Sequence, residues 1–172
     1  MKKVFTLILL SIFLVSCQND VAFNTPAFQG RKDNFMWRAD ISNAVYNPAD
    51  STLVLSGFKG FEVVRITAYP IIIVGNGATS FFQNATFDLR NNPNVTAQYS
   101  YVNNGQMLFY STDVEDEATG EFVLQNAVAQ KPGTVSGLFR FDAPYIGDVP
   151  GSPERVNFQE GVIYEVPITF AP

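Results

Sequence analysis

The side chains that could carry out chemistry in this chain are its carboxylates and its tyrosines. The sequence contains 16 Asp and Glu residues and 7 Tyr residues, but no His and a single Cys. Nucleophilic sites that pair Ser or Cys with His are therefore excluded, and so are zinc or iron sites built on imidazole. What remains is oxygen chemistry. Two carboxylates could hydrolyse a glycoside, or Asp and Glu could hold calcium.

The densest group of acids is the run DVEDEATGE at residues 113–121. Clustered carboxylates suit calcium, but the spacing differs from that of an EF-hand loop. The favoured interpretation is a charged turn between two strands, because surface loops carry charge at little cost. We expect no cofactor and no metal site, and calcium binding by this run stays open. Glu62, Glu160 and Glu165 lie near predicted strands, but their spacing in the sequence brings no two of them together.

Aromatic residues are the second set of candidates, because planar rings can stack on sugar rings. The candidate ligand-binding residues are Trp37, Tyr99, Tyr101, Tyr110 and Tyr145. The favoured interpretation for most of these rings is that they fill the core, where each buries a large apolar area. Trp37 shares an alternating face with Ala39 and Ile41, and that face is predicted to point inward.

The single cysteine, Cys17, ends an apolar run that follows Met1-Lys2-Lys3. The run is shorter than the roughly 18 residues of a membrane span and is typical of a secretory signal. The motif Leu14-Val15-Ser16-Cys17 resembles a bacterial lipobox, which implies cleavage before Cys17 and acylation of its thiol. The alternative, an ordinary secretory signal with a free thiol, is disfavoured because Cys17 has no pairing partner. We predict a signal peptide at 1–16, a lipidated N-terminus and tether at 17–34, and a β domain at 35–172.

The charge balance limits the partners. The formal net charge is −5, and loss of Lys2 and Lys3 with the signal makes it more negative. An acidic domain without a basic patch is a poor candidate for nucleic acid, and no dinucleotide-binding or Walker pattern is present. The partner that the sequence predicts is the membrane, through the lipid. Asp50-Ser51-Thr52 is similar to the O-glycosylation tripeptide of exported Bacteroidota proteins, which makes Ser51 a candidate acceptor.

Short alternating segments, separated by Gly, Pro, Asn and Asp, must position these side chains. This pattern predicts an all-β fold with little helix, an antiparallel β-sandwich or barrel-like fold of about nine or ten strands. The closing strand alternates most regularly, so that Val162, Tyr164, Val166, Ile168 and Phe170 are predicted to share one face. Three earlier segments alternate in the same way, and the residues predicted to share a face in them are Leu53 and Leu55, then Val64, Ile66 and Ala68, and then Val95, Ala97, Tyr99 and Tyr101.

Several segments resemble a family of uncharacterised flavobacterial (Bacteroidota) lipoproteins with a single β-rich domain. They are Phe28-Gln29-Gly30, Phe35-Met36-Trp37-Arg38-Ala39, the VSGLFRF segment at 135–141 and the VNFQEGVIYEVPI segment at 156–168. The resemblance implies a lipid-anchored location and a β fold, and it supplies no catalytic residues. Leu138 departs from the small polar residue expected in the VSGxFxF motif.

The function expected from these observations is non-catalytic. We expect a lipid-anchored outer-membrane protein that binds a glycan or an envelope protein, or takes part in envelope assembly, and that is not an enzyme. The sequence leaves open whether the domain faces the cell surface or the periplasm. The alternatives are a carboxylate-dependent glycoside hydrolase and a purely structural envelope component.

Overall fold

The computed structural model describes residues 27–75, 81–114, 117–125 and 131–172, which form strands and no helix. The strands are β1 (Ala27–Lys32), β2 (Phe35–Arg38), β3 (Ile41–Asn47), β4 (Thr52–Lys59), β5 (Glu62–Ala68), β6 (Ile73–Val74), β7 (Phe81–Phe82), β8 (Ala85–Asp88), β9 (Val95–Asn103), β10 (Gln106–Ser111), β11 (Thr119–Gln125), β12 (Thr134–Pro144) and β13 (Arg155–Phe170). The predicted all-β class is confirmed. The count exceeds nine or ten because residues 27–32, assigned to the tether, form β1, because the MWRADI segment divides between β2 and β3, and because β7 is too short to display alternation.

The main sheet follows the order β10-β9-β5-β4-β3-β13-β12-β11-β8, and β1 adds to β13 and carries β2. We call β3, β4, β5, β9 and β10 the first half-sheet, and β1, β2, β8, β11, β12 and β13 the second half-sheet. The long strand β13 joins them by pairing in parallel with β3 at its C-terminal end. The sheet curls into a half-barrel. Its end strand β10 returns to the end of β12, where Ile146 N–H donates to the Phe109 carbonyl at 2.7 Å.

The interior of the half-barrel is filled by the inward positions of alternating strands. The predicted inward sets of β5 (Val64, Ile66 and Ala68) and of β4 (Leu53 and Leu55) are fully buried. Aromatic rings occupy the space between the half-sheets, and Phe141 stacks on Phe158 with ring centroids 4.8 Å apart. Each such pair contributes about 0.5–1.5 kcal/mol beyond its buried area.

Trp37 belongs to this core, with 1% of its surface exposed. Its ring packs edge-on against Phe28 and Phe158, and a Cβ atom at Gly57 would lie 3.1 Å from it. The predicted inward face shared by Trp37 and Ile41 is a misreading, because β2 ends at Arg38 and β3 begins afresh at Ile41, which is exposed.

Strand β13 carries two irregularities that the sequence did not reveal. The three residue steps from Phe158 to Gly161 lie opposite only two steps of β12, and the same occurs between Ile163 and Val166. Glu160 and Glu165 lie within these β-bulges with φ angles of 50° and 49°. Each extra residue reverses the side-chain alternation.

The bulges overturn the predicted face of the closing strand. Ile163 and Val166 are buried, whereas Tyr164 is exposed. Apolar periodicity cannot detect a bulge, because an inserted residue leaves a pattern that still appears regular. The glycine at Gly161 within this run was a local signal, since glycine inside a strand often marks a bulge or a close backbone approach.

The fold begins earlier than the sequence predicted. Residues 27–32, assigned to the tether at 17–34, form β1 and pair with both β13 and β2. The Asp33 side chain accepts a hydrogen bond from Asn157 N–H at 2.9 Å, which fixes the turn after β1. The predicted signal peptide at 1–16 and residues 17–26 lie outside the described residues. Within the described ranges, no helix is long and apolar enough to cross a membrane.

Candidate functional site

Four of the five aromatic residues singled out from the sequence come together inside the half-barrel. Tyr99 on β9 pairs directly with Tyr110 on β10, so their rings point to the same face. Ring centroids lie 5.5 Å apart for Tyr99 and Tyr101, 5.9 Å for Tyr99 and Tyr110, and 5.4 Å for Tyr110 and Tyr145. We call these four residues the tyrosine cluster.

A lysine and a glutamate close the cluster on one side. Lys32 Nζ lies 2.7 Å from Tyr99 Oη and 3.1 Å from Glu62 Oε2, and Tyr99 O–H donates to the same carboxylate at 2.7 Å. The Lys32 ammonium also lies 4.8 Å from the centre of the Tyr99 ring, within cation–π range. Strands β1, β5 and β9 are thereby joined by one polar network.

The protonation states of this network follow from burial and hydrogen bonding. Burial raises the pKa of Tyr99, and its hydrogen bond to Glu62 raises that pKa further. Burial alone raises the pKa of Glu62, but hydrogen bonds from Tyr99 and Lys32 and the charge of Lys32 lower it overall. Glu62 is thus an ionised acceptor, whereas glycoside cleavage needs a carboxylic acid with a raised pKa.

The tyrosine cluster is mainly structural, because little of it is exposed to a ligand. Tyr99 and Tyr110 are buried, and Tyr101 and Tyr145 are half-buried. Tyr110 O–H donates to the Pro153 carbonyl at 3.1 Å, and Tyr145 Oη accepts from Val149 N–H at 3.3 Å. These bonds hold residues 145–153 across the gap between β10 and β12.

The burial of the rings corrects part of the predicted aromatic site. Trp37, Tyr99 and Tyr110 have no ring face open to a sugar, since each is packed against other aromatic side chains. They were chosen by residue type, and type alone does not distinguish a core ring from a surface ring. Tyr101 and Tyr145 reach the surface only in part.

A groove on the opposite, outer face of the second half-sheet was not predicted. It consists of two adjoining depressions of about 290 Å³ and 480 Å³, which share Arg140 and Glu160. We call it the charged groove. Its lining residues are Thr119, Gly120, Glu121, Val123, Leu138, Phe139, Arg140, Phe141, Asp142, Asn157, Phe158, Gln159, Glu160, Gly161 and Val162.

Ion pairs cross the strands at the middle of the groove. Arg140 on β12 lies 3.5 Å from Glu121 on β11, the residue directly opposite it. Glu160, in the bulge of β13, lies 4.0 Å from Arg31 on β1. The row therefore alternates in charge from β11 to β1.

Polar groups also fill the end of the groove near the start of β13. Asp142 accepts from Arg155 Nε, and its other oxygen accepts from Asn157 Nδ2 at 3.0 Å. Asp142 and Asn157 are direct cross-strand partners, so both side chains leave the same face of the sheet. This end offers amide, carboxylate and guanidinium groups to solvent.

The other end of the charged groove is apolar. Val123, Leu138 and Val162 pair in one row across β11, β12 and β13. Beyond Val162 on the same strand lies Tyr164, which is 42% exposed. The sequence analysis missed Tyr164 as a surface residue because the bulges of β13 turn it outward.

The outer face of the first half-sheet is different in character. One row of directly paired residues crosses all five of its strands and consists of Ile41, Phe58, Val63, Ser100 and Phe109. Beside this row, Met107 pairs with Val102, and Phe61 occupies the turn between β4 and β5. Phe61, Met107 and Ile41 are 80%, 68% and 67% exposed. We call this surface the apolar face.

Comparison with known proteins matches residues 24–167 to the family described as domain of unknown function (DUF6252). The chain belongs to this family. No curated protein and no solved structure matches it. The DUF6252 match contains β1, the tyrosine cluster and the charged groove, in agreement with a single domain that begins before residue 35.

Of the other predicted sites, Ser51 is described by the structure, whereas Cys17 and part of the acidic run are not. Ser51, the candidate O-glycosylation acceptor, is half-buried in the turn before β4, and Asp50 Oδ1 accepts from Thr52 N–H at 3.0 Å there. Residues 115–116 of the acidic run and Cys17 lie outside the described residues. Within the described ranges, no three His, Cys, Asp or Glu residues come together in a way that could hold a metal ion.

Proposed function

We propose that this DUF6252 protein is a non-catalytic binding protein, anchored by a lipid at Cys17 in the outer membrane of a bacterium of the Bacteroidota. Its ligand is a glycan or another envelope protein. The observation that carries the proposal is the charged groove, a shallow depression lined by convergent polar and charged side chains on a rigid sheet.

The location rests on the sequence. The lipobox-like Leu14-Val15-Ser16-Cys17 motif follows a short apolar run, and more than one acyl chain on a cysteine anchors a protein firmly. The resemblance of the VSGLFRF and VNFQEGVIYEVPI segments to flavobacterial lipoproteins supports the same location.

Binding is favoured over glycoside hydrolysis by the way the carboxylates are held. Glu121, Asp142 and Glu160 each lie beside an arginine, and Glu62 has a lowered pKa in its bond to Lys32. Hydrolysis needs one carboxylic acid and one carboxylate facing each other across a glycosidic bond. Ion-paired carboxylates with free lone pairs are better suited to accept hydrogen bonds from a ligand.

A second candidate function is envelope assembly through the apolar face. Contiguous exposed apolar side chains of this kind mark interaction surfaces in soluble domains. The partner that fits is an envelope protein with an apolar face of its own, because the row from Ile41 to Phe109 offers few polar groups for hydrogen bonding.

Protease treatment of intact cells tests the location. Wild-type protein and a Cys17→Ala variant are expressed, fractionated and blotted before and after digestion. We expect the wild type in the outer-membrane fraction and the variant released from it. If the variant stays in the membrane as firmly as the wild type, the lipid anchor is refuted. Digestion in intact cells places the domain on the cell surface, and protection until the outer membrane is breached places it in the periplasm and favours assembly.

An assay for reducing ends tests the absence of catalysis. The purified domain is incubated with neutral and acidic oligosaccharides, and we expect no release above the buffer control. Hydrolysis that disappears in both Glu121→Gln and Glu160→Gln would overturn the proposal in favour of the hydrolase.

A further inference from the structure

We infer that the charged groove binds a neutral oligosaccharide, with Tyr164 stacking on a sugar ring at its apolar end. The inference rests on the proposed function as a binding protein and names the ligand class of its groove. It is carried by the balance of charge, the order of polar and apolar rows, and the exposure of Tyr164.

The charge balance argues for an uncharged ligand. Three carboxylates in and beside the groove are matched by three guanidinium groups, in the pairs Glu121–Arg140, Glu160–Arg31 and Asp142–Arg155. An anion would meet these carboxylates and the negative net charge of the domain, and a cation would meet the arginines. A neutral ligand displaces neither partner of a pair.

The same pairs leave hydrogen-bonding capacity for hydroxyl groups. A guanidinium group has five N–H donors and a carboxylate has about four acceptor positions, and a single ion pair uses only part of each. Asn157 adds an amide that already donates to Asp142, so its carbonyl oxygen can accept. Sugar hydroxyls both donate and accept, and therefore match a surface that presents both kinds of group.

The apolar row of Val123, Leu138 and Val162, together with Tyr164, is suited to contact the C–H face of a sugar ring. A pyranose ring has a C–H face that packs on aliphatic and aromatic surfaces. Leu138 and Tyr164 are 41% and 42% exposed on the outer face, although both are large apolar side chains. Their position next to the charged row places an apolar contact beside hydrogen-bonding groups, which is how small-molecule sites fix both affinity and orientation.

The groove is long enough for several sugar rings. Three successive rows, starting at Val123, at Glu121 and at Thr119, cross β11, β12 and β13 on the outer face. Same-face residues of a strand are about 6.6 Å apart and neighbouring strands about 4.8 Å apart, so the rows cover roughly 13 Å by 10 Å. This area accommodates a short linear oligosaccharide.

The β-bulge of β13 builds the groove before any ligand arrives. Glu160 holds a positive φ of 50°, which is unusual for glutamate, and lines both depressions. A Cβ atom at Gly161 would collide with the Phe139 carbonyl oxygen and ring, so core packing fixes the backbone beside Glu160. A bulge that aims one side chain at a depression is a common feature of binding sites.

Calorimetric titration of the full-length protein, in detergent, tests the inference. The probes are maltohexaose, cellohexaose, laminarihexaose and mannohexaose, with an oligogalacturonate as the anionic counterpart. We expect at least one neutral hexasaccharide to bind and the oligogalacturonate to bind at least tenfold more weakly. The variants Tyr164→Ala and Arg140→Ala are expected to lose at least tenfold in affinity.

Matched controls separate the groove from the rest of the surface. Tyr69 is 41% exposed, nearly the same as Tyr164, and Arg65 lies exposed on β5 in the first half-sheet. Tyr69→Ala and Arg65→Ala should leave the affinity unchanged within a factor of two. Unchanged melting temperatures of the groove variants show that their losses are not due to unfolding.

The titrations can refute oligosaccharide binding without refuting the more general binding function. Binding of none of the neutral sugars, or binding that Tyr164→Ala and Arg140→Ala both leave intact, overturns the inference. If the protein is nevertheless anchored through Cys17 and captures an envelope protein in intact cells, the binding function stands with a different ligand. Preference for the oligogalacturonate would also overturn the inference, because it would contradict the charge argument.

Discussion

The two half-sheets share one core but have opposite outer faces. The outer face of the first half-sheet carries an uninterrupted row from Ile41 through Phe58 and Val63, with Phe61 and Met107 beside it. The outer face of the second half-sheet carries ion pairs and amides around a groove. Both faces belong to one curled sheet, so the difference lies in the side chains and in the bulges of β13.

The bulges of β13 change which side chains the second half-sheet presents to solvent. Without bulges, β13 would keep its alternation from Val156 onward and turn Tyr164 toward the same face as Phe158. The first inserted residue reverses that alternation, which buries Ile163 and exposes Tyr164, and the second restores it, so that Val166 is buried again. The first half-sheet has regular pairing across β3, β4, β5 and β9, and its outer face follows directly from sequence alternation.

The largest effect is expected when the packing beside the first bulge of β13 is disturbed. In Gly161→Val the new side chain collides with the Phe139 carbonyl and ring, and overpacking of this kind costs roughly 2–3 kcal/mol. We expect urea denaturation to show a loss of this size, together with loss of sugar binding. Gly105→Ala, in an open turn where only the positive φ of 78° is strained, should cost about 1 kcal/mol and leave binding intact. Equal losses for the two variants would contradict the role of close packing at Gly161.

The sequence predicts the regular strands of this fold better than it predicts the bulged strand β13. Alternation correctly identified the inward residues of β4, β5 and β9, because strands without bulges translate period 2 directly into faces. It failed at β13 and at the break between Trp37 and Ile41, since an inserted residue or a strand end leaves no mark on hydrophobicity. The tyrosine cluster was found by residue type, but its burial depends on the pairing of β9 with β10 and on residues 145–153. The charged groove was not found, because the side chains that line it meet only through the register of β11, β12 and β13, and the bulge of β13 shifts that register.

The polar network under the tyrosine cluster gives the next largest effect. In Glu62→Gln, Tyr99 and Lys32 lose an ionised acceptor, and hydrogen bonds of this type contribute roughly 1–2 kcal/mol. We expect a loss of that size in urea denaturation at pH 7, with sugar binding unchanged because the network lies on the inner face. Loss of sugar binding in this variant, with the fold intact, would contradict the separation of the two regions. Glu121→Gln, in the more exposed pair with Arg140, is the control and should cost about 0.5 kcal/mol or less.

The pH dependence of stability gives a second test of the Lys32–Glu62 pair. The folded protein lowers the pKa of Glu62 below its ordinary value of 4.5, so the contribution of Glu62 to stability is present above that pH. The contribution disappears as the pH falls from about 4.5 through the lower pKa of the folded state. Wild-type protein should therefore lose more stability than Glu62→Gln between pH 5 and pH 3. Parallel pH profiles for the two proteins would show that the Lys32–Glu62 pair does not favour the ionised carboxylate.

The apolar face is tested by a double substitution that leaves the core untouched. Phe61→Ser and Met107→Ser replace two highly exposed side chains, so the free energy of unfolding should change by about 0.5 kcal/mol or less. If this face docks an envelope protein, crosslinking in intact cells should lose that partner while sugar binding persists. The control is Ile146→Ser, an exposed apolar residue in the connection between β12 and β13. Crosslinking that is equally reduced by the control would indicate that general hydrophobicity, and not this face, holds the partner.

The variant with the smallest expected change in stability tests whether the bulge acts through its backbone or through the Glu160 side chain. Glu160→Gly keeps the positive φ, which glycine adopts without strain, but removes the carboxylate that lines both depressions. Relief of backbone strain and the greater freedom of glycine in the unfolded chain oppose each other, so stability should change by about 0.5 kcal/mol or less. Sugar affinity should nevertheless fall severalfold. Asn104→Gly, at a positive φ of 50° in the turn between β9 and β10, makes the same backbone change outside the groove and should leave affinity unchanged. If both variants bind as the wild type does, the bulge only shapes the strand, and the recognition of sugar hydroxyls must come from Arg140, Asp142 and Asn157 alone.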